Sequence, residues 1–221
     1  MNRKMVFGLS ALALVAAFVV GSSMYKGQRA GELDFMAQEN VSTFIRMHSP
    51  MLGDAAAKVH IVKFTDPACE TCAAFSQFIE QAMAAYPGKI KLIVRYAPLH
   101  EGAPEVVKIL IAAKKVNKFW ETLHALYASQ EQWTQHHQVI VDRVWPLLER
   151  ANLDVAAIRA GMNDPESERI IEQDLADART LGVRKTPGIF VNGKALDPFG
   201  VREFKQLIES ELGANYPELR R

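Results

Sequence analysis

The feature that most constrains this chain is a pair of cysteines, Cys69 and Cys72, placed where a strand pattern gives way to a helix pattern. The run Val59-His60-Ile61-Val62-Lys63-Phe64 has the β-branched density of a strand, and Thr65-Asp66-Pro67-Ala68 ends it. A helix is predicted to follow and to end at Pro87-Gly88, because apolar residues recur at spacings of three and four at Cys72, Phe75, Ile79, Met83 and Tyr86. The cysteines therefore mark the first turn of a helix that follows a strand.

A second strand pattern covers residues 90–96, so the chain reads strand, helix, strand. A connection of this length predicts a right-handed βαβ unit with parallel strands. Residues 103–181 read as four or five helices, and Asp164-Pro165 supplies a start signal for the last of them. Asn192-Gly193 predicts a two-residue hairpin, and residues 201–212 a closing helix.

An apolar run, Met5–Met24, follows Asn2-Arg3-Lys4 at the beginning of the chain. Some twenty residues at about 1.5 Å rise each reach roughly 30 Å, the thickness of the hydrocarbon core of a bilayer. The run therefore predicts an uncleaved membrane anchor, with a cleaved signal peptide as the alternative. Basic residues before the run favour a cytoplasmic N-terminus. The body of the protein is then expected in the cell envelope, on the periplasmic or extracytoplasmic side of the cytoplasmic membrane.

The domain organisation follows from these segments. We expect a membrane anchor or signal segment over residues 1–24, a tether with a short helix over 25–57, and one folded α/β domain over 58–213. A helical insert is expected within that domain, at about 101–182. The formal net charge is +1 and the charged residues are scattered along the chain. The sequence therefore shows no basic patch of the kind that binds nucleic acid.

The spacing of the only two cysteines points to redox chemistry. A disulfide between these two cysteines would close a very short loop, and a short loop gains little stability from cross-linking. The pair is therefore poorly suited to a structural disulfide. A structural zinc site would need a second pair of ligands, whereas His136 and His137 are adjacent and His60 and His100 are isolated. Two thiols three residues apart at a strand-to-helix junction instead suit thiol-disulfide exchange, with no metal and no cofactor beyond the disulfide itself.

The positions of the two cysteines predict their roles. Cys69 lies at the helix N-terminus, where unpaired N–H groups and the positive end of the helix dipole favour a thiolate, so it is expected to attack. Cys72 lies one turn inside on the apolar face, so it is expected to be more buried and to resolve the mixed disulfide. Glu70, an anion beside Cys69, is expected to raise the pKa of that thiol.

Three segments resemble the DsbA-like family of exported thiol-disulfide oxidoreductases, which belongs to the thioredoxin-like superfamily. They are His48–Gly53, Val59–Cys72 and Thr186–Gly193. Each segment is short, but their order and their spacing around a helical insert are specific to the family. The resemblance implies a thioredoxin-like fold with a helical insertion domain and an active disulfide at Cys69 and Cys72. It also implies a cis-proline at Pro187, with Thr186 facing the sulfurs. We expect Glu70, Thr71 and Lys63 to support the active site together with these two residues.

Two departures from the family pattern leave the direction of exchange open. Many thioredoxin-like proteins carry a buried acid six residues before the first cysteine, where this chain has Lys63. The strongest oxidants of the family have Pro-His between the cysteines, where this chain has Glu70-Thr71. The segments Phe64–Pro67 and Thr186-Pro187 look closer to the DsbC and DsbG isomerase sites.

Two functions use the same thiolates. The first is an oxidoreductase acting on exported client proteins that carry thiols or disulfides, recycled by a membrane redox partner. The second is a soft-metal protein that binds or delivers copper, since thiolates select Cu(I). The expected cis-proline and helical insert favour the enzyme, because a dedicated carrier would be expected to add Met or His ligands near the motif.

Overall fold

The two strands that flank the cysteine-bearing helix lie side by side in a mixed sheet. A computed structural model of the chain describes residues 14–16, 18, 20–22, 41–136 and 138–219. In it β2 (Val59–Thr65) pairs parallel with β3 (Ile90–Tyr96), and α2 (Glu70–Ala85) connects them. The predicted strand–helix–strand unit with parallel strands is therefore confirmed.

Five strands form the main sheet. In chain order the additional ones are β1 (Met51–Gly53), β6 (Gly188–Val191) and β7 (Lys194–Ala195), and the sheet order is β1-β3-β2-β6-β7. The strands β6 and β7 pair antiparallel around Asn192-Gly193, as the hairpin signal predicts. The strand β1 pairs antiparallel with β3. It lies in the segment 25–57, where we expected only a tether and a short helix. Three residues are too few for a strand to show a periodic pattern.

Helices cover both faces of the sheet. On one face α2 and the last helix, α9 (Val201–Asn215), pack on alternate residues of the strands, including Ile61, Val94 and Val191. On the other face Val62, Phe64, Ile93 and Phe190 form a second cluster with Phe44 and Leu181. Because successive side chains of a strand point to opposite faces, Lys63 lies on the same side as Ile61, under α2. That placement matters for the site below.

The helical block between β3 and β6 is more divided than its sequence pattern suggested. Its helices are α3 (Ala103–Lys115), α4 (Phe119–Ala128), α5 (Gln130–Trp133), α6 (Val144–Arg150), α7 (Val155–Gly161) and α8 (Pro165–Thr180). A small hairpin of β4 (Thr134–Gln135) and β5 (Gln138–Val139) separates α5 from a 3-10 turn at Val141–Arg143. We had expected helix throughout. Two-residue strands carry no periodicity, and the positive φ of His136 turns the chain there.

The cap of α8 agrees with its sequence signal. The carboxylate of Asp164 accepts a hydrogen bond of 2.8 Å from the main-chain N–H of Glu166, and Pro165 occupies the first turn, where its missing N–H costs nothing. This helix runs beside β3 and holds the buried carboxylates described next.

A buried ion network joins the sheet to α8. The guanidinium of Arg95, which has no exposed surface, donates to the carboxylates of Asp174 and Asp177, and also to the main-chain oxygen of Thr43 in α1 (Val41–Phe44). From the other side Arg46 binds Asp177 through two hydrogen bonds of 2.8 and 2.9 Å, and His48 contacts Asp174 at 2.6 Å. The segment 41–49 is therefore fixed against β3 and α8.

The expected membrane anchor falls largely outside the described residues. Positions 14–16, 18 and 20–22 are helical, and Leu14, Val15, Phe18 and Val20 are exposed. Within the part of the chain that the structure describes, no helix is both long and apolar enough to cross a membrane.

Candidate active site

Cys69 forms the N-cap of α2. Its backbone is extended, and its Sγ accepts a hydrogen bond of 3.4 Å from the main-chain N–H of Cys72, one of the N–H groups that the first turn leaves unpaired. Cys72 lies one turn further on and is fully buried, whereas Cys69 keeps 7% of its surface exposed. Both cysteines are free thiols in this structure. The turn after β2 thus leaves Cys69 a small exposed fraction and holds Cys72 fully buried behind it.

The two thiols have opposite acidities. The hydrogen bond from the Cys72 thiol is the main cause that lowers the pKa of Cys69 to about 6; burial opposes it, and hydrogen bonds with Thr186 and the Cys72 amide add to it. Burial raises the pKa of Cys72 well above its usual range, and the hydrogen bond to Cys69 raises it further. At neutral pH the thiolate therefore belongs mainly to Cys69, which is the nucleophilic form.

The segment before β6 closes the site from the opposite side. The peptide bond between Thr186 and Pro187 is cis, and in its thiol form Cys69 donates a hydrogen bond of 3.4 Å to the main-chain oxygen of Thr186. A second cis peptide bond joins Asp197 to Pro198. The structure thus brings Thr186, and with it Pro187, to the Cys69 side of the thiol pair, although they lie more than a hundred residues away in sequence.

Lys63 lies beneath the cysteine-bearing turn with only 2% of its surface exposed. Its Nζ donates hydrogen bonds of 2.8 Å to the main-chain oxygen of Cys72 and 2.5 Å to Ser76 Oγ, and lies 5.1 Å from the ring centre of Tyr127. Burial lowers the pKa of Lys63 from 10.5 to about 8, while the nearby thiolates and Glu80 oppose the shift. A titratable amine therefore occupies the buried position behind Cys72.

Asp66 is the residue that the sequence interpretation missed. Its fully buried carboxylate accepts from the N–H groups of Ala68, Leu99 and His100, and contacts His100 Nδ1 at 2.8 Å. It ties the turn that carries Cys69 to the loop after β3. The only signal in the sequence was its place in the turn before the helix, where Asp is a common residue for conformational reasons alone.

The acid whose charge raises the pKa of Cys69 in this structure is Asp66. Glu70 and Thr71, the two residues between the cysteines, are both exposed to solvent. Water screens the charge of an exposed carboxylate, so the effect of Glu70 on the neighbouring thiolate is smaller than adjacency in sequence suggested.

A cleft of about 470 Å³ is lined by Thr186 and Pro187 on one side and by Thr71 of α2 on the other. Most of its wall is apolar or main chain, with Arg184 and Lys185 exposed at its edge. Its lining includes Thr71, Val183, Thr186, Pro187, Leu196 and Phe199. Thr186, which accepts the hydrogen bond from Cys69, joins this cleft to the thiol pair.

The two thiols are not joined by a third His, Cys, Asp or Glu ligand among the residues that the structure describes. Across the described ranges, which end at residue 219 and omit 137, no group of three or more His, Cys, Asp or Glu side chains is arranged to hold a metal ion. Two thiolates alone could take a soft ion such as Cu(I), but a further ligand would have to come from outside these residues.

Comparison with known proteins agrees with the fold. A family model described as Thioredoxin matches residues 46–210. A thioredoxin-like oxidoreductase from Silicibacter pomeroyi superposes with a TM-score of 0.67 at 23% identity, covering 77% of this chain and 96% of that one. The thiol-disulfide exchange protein alpha-DsbA2 from Wolbachia pipientis superposes with a TM-score of 0.70 at 19% identity, covering 83% and 97%.

Curated relatives match over only part of their own length. The Na(+)/H(+) antiporter NhaA of Herminiimonas arsenicoxydans is 24% identical over 191 residues, which is 84% of this chain and 29% of that protein. The chain spans less than a third of each of the four curated relatives it matches.

The fold and its paired thiols define a thiol-disulfide oxidoreductase, which confirms the predicted class of enzyme and leaves the direction of exchange open. The chain belongs to the thioredoxin family, and its α/β fold is the DsbA-like one that the three sequence segments predicted.

Proposed function

We propose that Cys69 and Cys72 are the redox pair that exchanges disulfides with client proteins, with Cys69 attacking and Cys72 resolving. The observation that carries the proposal is the contrast between the two thiols. The pKa of Cys69 is lowered to about 6 at a partly exposed helix N-cap, whereas that of Cys72 is raised in a fully buried position. Attack needs a thiolate that a client can reach.

In the reducing direction, the Cys69 thiolate attacks one sulfur of a client disulfide. A bond forms between Cys69 and that sulfur, and the other client sulfur leaves as a thiolate. Cys72 then loses its proton and attacks the Sγ of Cys69, which breaks the mixed disulfide. The client leaves with two thiols, and the enzyme holds the Cys69–Cys72 disulfide. The oxidising direction is the same sequence reversed, and a separate redox partner restores the starting state.

The cleft beside Cys69 supports a polypeptide as the substrate. Thr186, which contacts Cys69 Sγ, and Pro187 both line this cleft, and the wall between Val183 and Phe199 is largely apolar. Thr71 completes the edge of the cleft on the α2 side. In the proposal these residues hold the client segment, and Lys63 and Glu70 adjust the acidity of the pair.

We place this activity on the extracytoplasmic side of the cytoplasmic membrane, with exported proteins as clients and a membrane redox partner that recycles the pair. The support is the apolar run Met5–Met24 behind two basic residues, and the DsbA-like fold of the body. Because a dithiol couple outside the cytoplasm meets an oxidising environment, its clients are proteins whose disulfides form there.

An exchange assay beside a copper titration tests this function against soft-metal delivery. The purified domain should turn over a disulfide-bonded peptide in the presence of a thiol reductant or oxidant, and both Cys69→Ser and Cys72→Ser should abolish turnover. Cu(I) should bind the reduced protein no more tightly than it binds a competing bidentate chelator. Tight, stoichiometric Cu(I) binding together with an absence of disulfide exchange would contradict the proposed function and favour copper binding or delivery instead.

A further inference from the structure

Two hollows of different character meet at the first turn of α2. The cleft of about 470 Å³ has Thr71 in its wall, whereas a second hollow, of about 440 Å³, has Glu70 in its wall. Successive residues of a helix point about 100° apart, so the beginning of α2 lies between the two hollows. Cys69, the N-cap of that helix, therefore lies at the boundary between them.

Hydrogen bonds fix both hollows to the turn that carries Cys69. On the cleft side, the main-chain oxygen of Thr186 lies 3.4 Å from Cys69 Sγ. On the other side, Gln130 Nε2 donates a hydrogen bond of 2.7 Å to the main-chain oxygen of Pro67, which attaches the beginning of α5 to the turn before Cys69. The main chain of each wall is thus held in a set position relative to Cys69.

The cleft carries two bases at its edge. Arg184 and Lys185 both line it, both are exposed, and they directly precede Thr186 in the chain. Asp197 also lines this cleft, but it is less exposed than either base. The exposed edge of the cleft is therefore positively charged.

The second hollow carries two acids. Glu70 and Glu131 line it and are exposed, and its wall also contains the polar, uncharged residues Ser129, Gln130 and Gln132. Within the part of the chain that the structure describes, neither these two acids nor the two bases of the cleft form an ion pair. Each of the four charges can therefore attract an oppositely charged group of a bound polypeptide.

The two kinds of charge lie on two sides of the sulfur that a client has to reach. This step rests on the function proposed above, in which Cys69 forms the mixed disulfide. An extended polypeptide advances about 3.3 Å per residue, so side chains a few residues before and after the client's cysteine reach the two hollows. Charges of opposite sign on the two sides favour one direction of the bound chain, because the reverse direction brings like charges together.

We propose that the protein selects client segments by charge, with acidic residues of the client against Arg184 and Lys185 and basic residues against Glu70 and Glu131. A cysteine flanked by acids on one side and by bases on the other is then bound in one direction. Each exposed pair contributes little alone, so the selectivity comes from several pairs acting together and is strongest at low salt.

Two peptides of equal composition test the proposal. One has two Glu residues before a single cysteine and two Lys residues after it, and the other has the reverse order. Each is supplied as a disulfide-linked dimer, so attack on either sulfur joins the same peptide to the enzyme. Acid quench and mass spectrometry give the rate constant at which each dimer oxidises the reduced protein. The two constants should differ about fivefold at roughly 0.02 M salt and converge near 1 M, where the Debye length is about 3 Å.

The decisive variant reverses all four charges. It combines Arg184→Glu, Lys185→Glu, Glu70→Lys and Glu131→Lys. It should prefer the peptide that the wild type disfavours. Because two peptides are compared on one protein, any change in the acidity of Cys69 cancels from the ratio.

The matched control reverses two bases and two acids that are exposed but line neither hollow. It combines Lys205→Glu and Glu209→Lys on α9 with Arg169→Glu and Glu172→Lys on α8. It should keep the wild-type preference.

Equal rate constants for the two peptides on the wild type at low salt overturn charge selection and leave the exchange function intact. A preference that persists near 1 M salt, or that is the same in the four-charge variant as in the wild type, does so too. If neither peptide oxidises the wild-type protein, the function proposed above fails, and charge selection fails with it.

Discussion

Lys63 Nζ donates a hydrogen bond of 2.8 Å to the main-chain oxygen of Cys72, so an amine with 2% of its surface exposed supports the turn that carries both thiols. Its neighbours on the same side of β2, Val59 and Ile61, are fully buried apolar residues. A lysine there costs stability, because burial disfavours the ammonium form. The position is accordingly one where function and stability are expected to oppose each other.

Lys63→Met should stabilise the reduced protein at pH 7. Burial lowers the pKa of Lys63 from 10.5 to about 8, so the charge costs up to roughly 3 kcal/mol below pH 8, at about 1.4 kcal/mol for each tenfold change in acidity. The unfolded chain binds more protons than the folded one between about pH 8 and 10.5, so wild-type stability rises across that window. Urea unfolding should give the variant about 1–3 kcal/mol more at pH 7, with the gain shrinking toward pH 10.

Lys205→Met is the matched control, because Lys205 is exposed on α9. It should leave stability unchanged at both pH values. A Lys63→Met variant that is less stable than wild type at pH 7 would show that the hydrogen bonds of Lys63 outweigh the cost of its burial.

Glu70→His should make the couple more oxidising. Removing an anion from the first turn of α2 stabilises the Cys69 thiolate, and with it the reduced form. Glu70 is exposed, so the shift should be small, roughly 5–20 mV from a helix-terminus effect of about 0.3–1 kcal/mol. Equilibration with glutathione measures the potential of both proteins. A shift toward reduction, or none, would contradict the electrostatic argument.

Arg95→Met should be strongly destabilising. It leaves the buried carboxylates of Asp174 and Asp177 without their shared partner, and breaking a buried pair in this way typically costs about 3–5 kcal/mol. Thermal unfolding of the two proteins would show the loss directly. Arg202→Met, which removes an exposed pair with Glu203, should leave the midpoint in place. Equal midpoints for Arg95→Met and wild type would show that the network adds nothing to stability.

The sequence was informative where the determinants are local. The β-branched run before Cys69, the spacing of the apolar residues after it and the Asn192-Gly193 turn each act over a few residues, and the structure has the elements they predict. Family resemblance supplied the placement of Pro187 beside Cys69, which no local rule could give, because those residues meet only after the helical block has folded.

What the sequence could not predict depends on contacts between distant residues. Arg95 meets Asp174 across 79 positions, and nothing near either residue marks it as buried or paired. The same holds for Asp66, whose partners Leu99 and His100 lie on another loop. The strand β1 and the small hairpin after α5 are too short to show a period of two, so only their pairing defines them.

The run Met5–Met24 should keep the full chain in the membrane fraction after alkaline carbonate extraction. Two basic residues before an apolar run of this length favour a cytoplasmic N-terminus, so residues beyond Gln28 should be reached by protease only from the outer side. N-terminal sequencing of the mature protein is the control. A soluble product that begins near Ser23 would show that the segment is a cleaved signal peptide.

The assignment of an attacking Cys69 and a resolving Cys72 is tested most directly by trapping mixed disulfides in cells. Cys72→Ser leaves the thiol whose pKa is lowered to about 6 and removes the one that releases the client. It should therefore accumulate covalent complexes with client proteins that disappear on reduction, seen on non-reducing gels. Cys69→Ser keeps only a fully buried thiol and should trap none. Equal trapping by the two variants, or trapping by Cys69→Ser alone, would contradict the assignment.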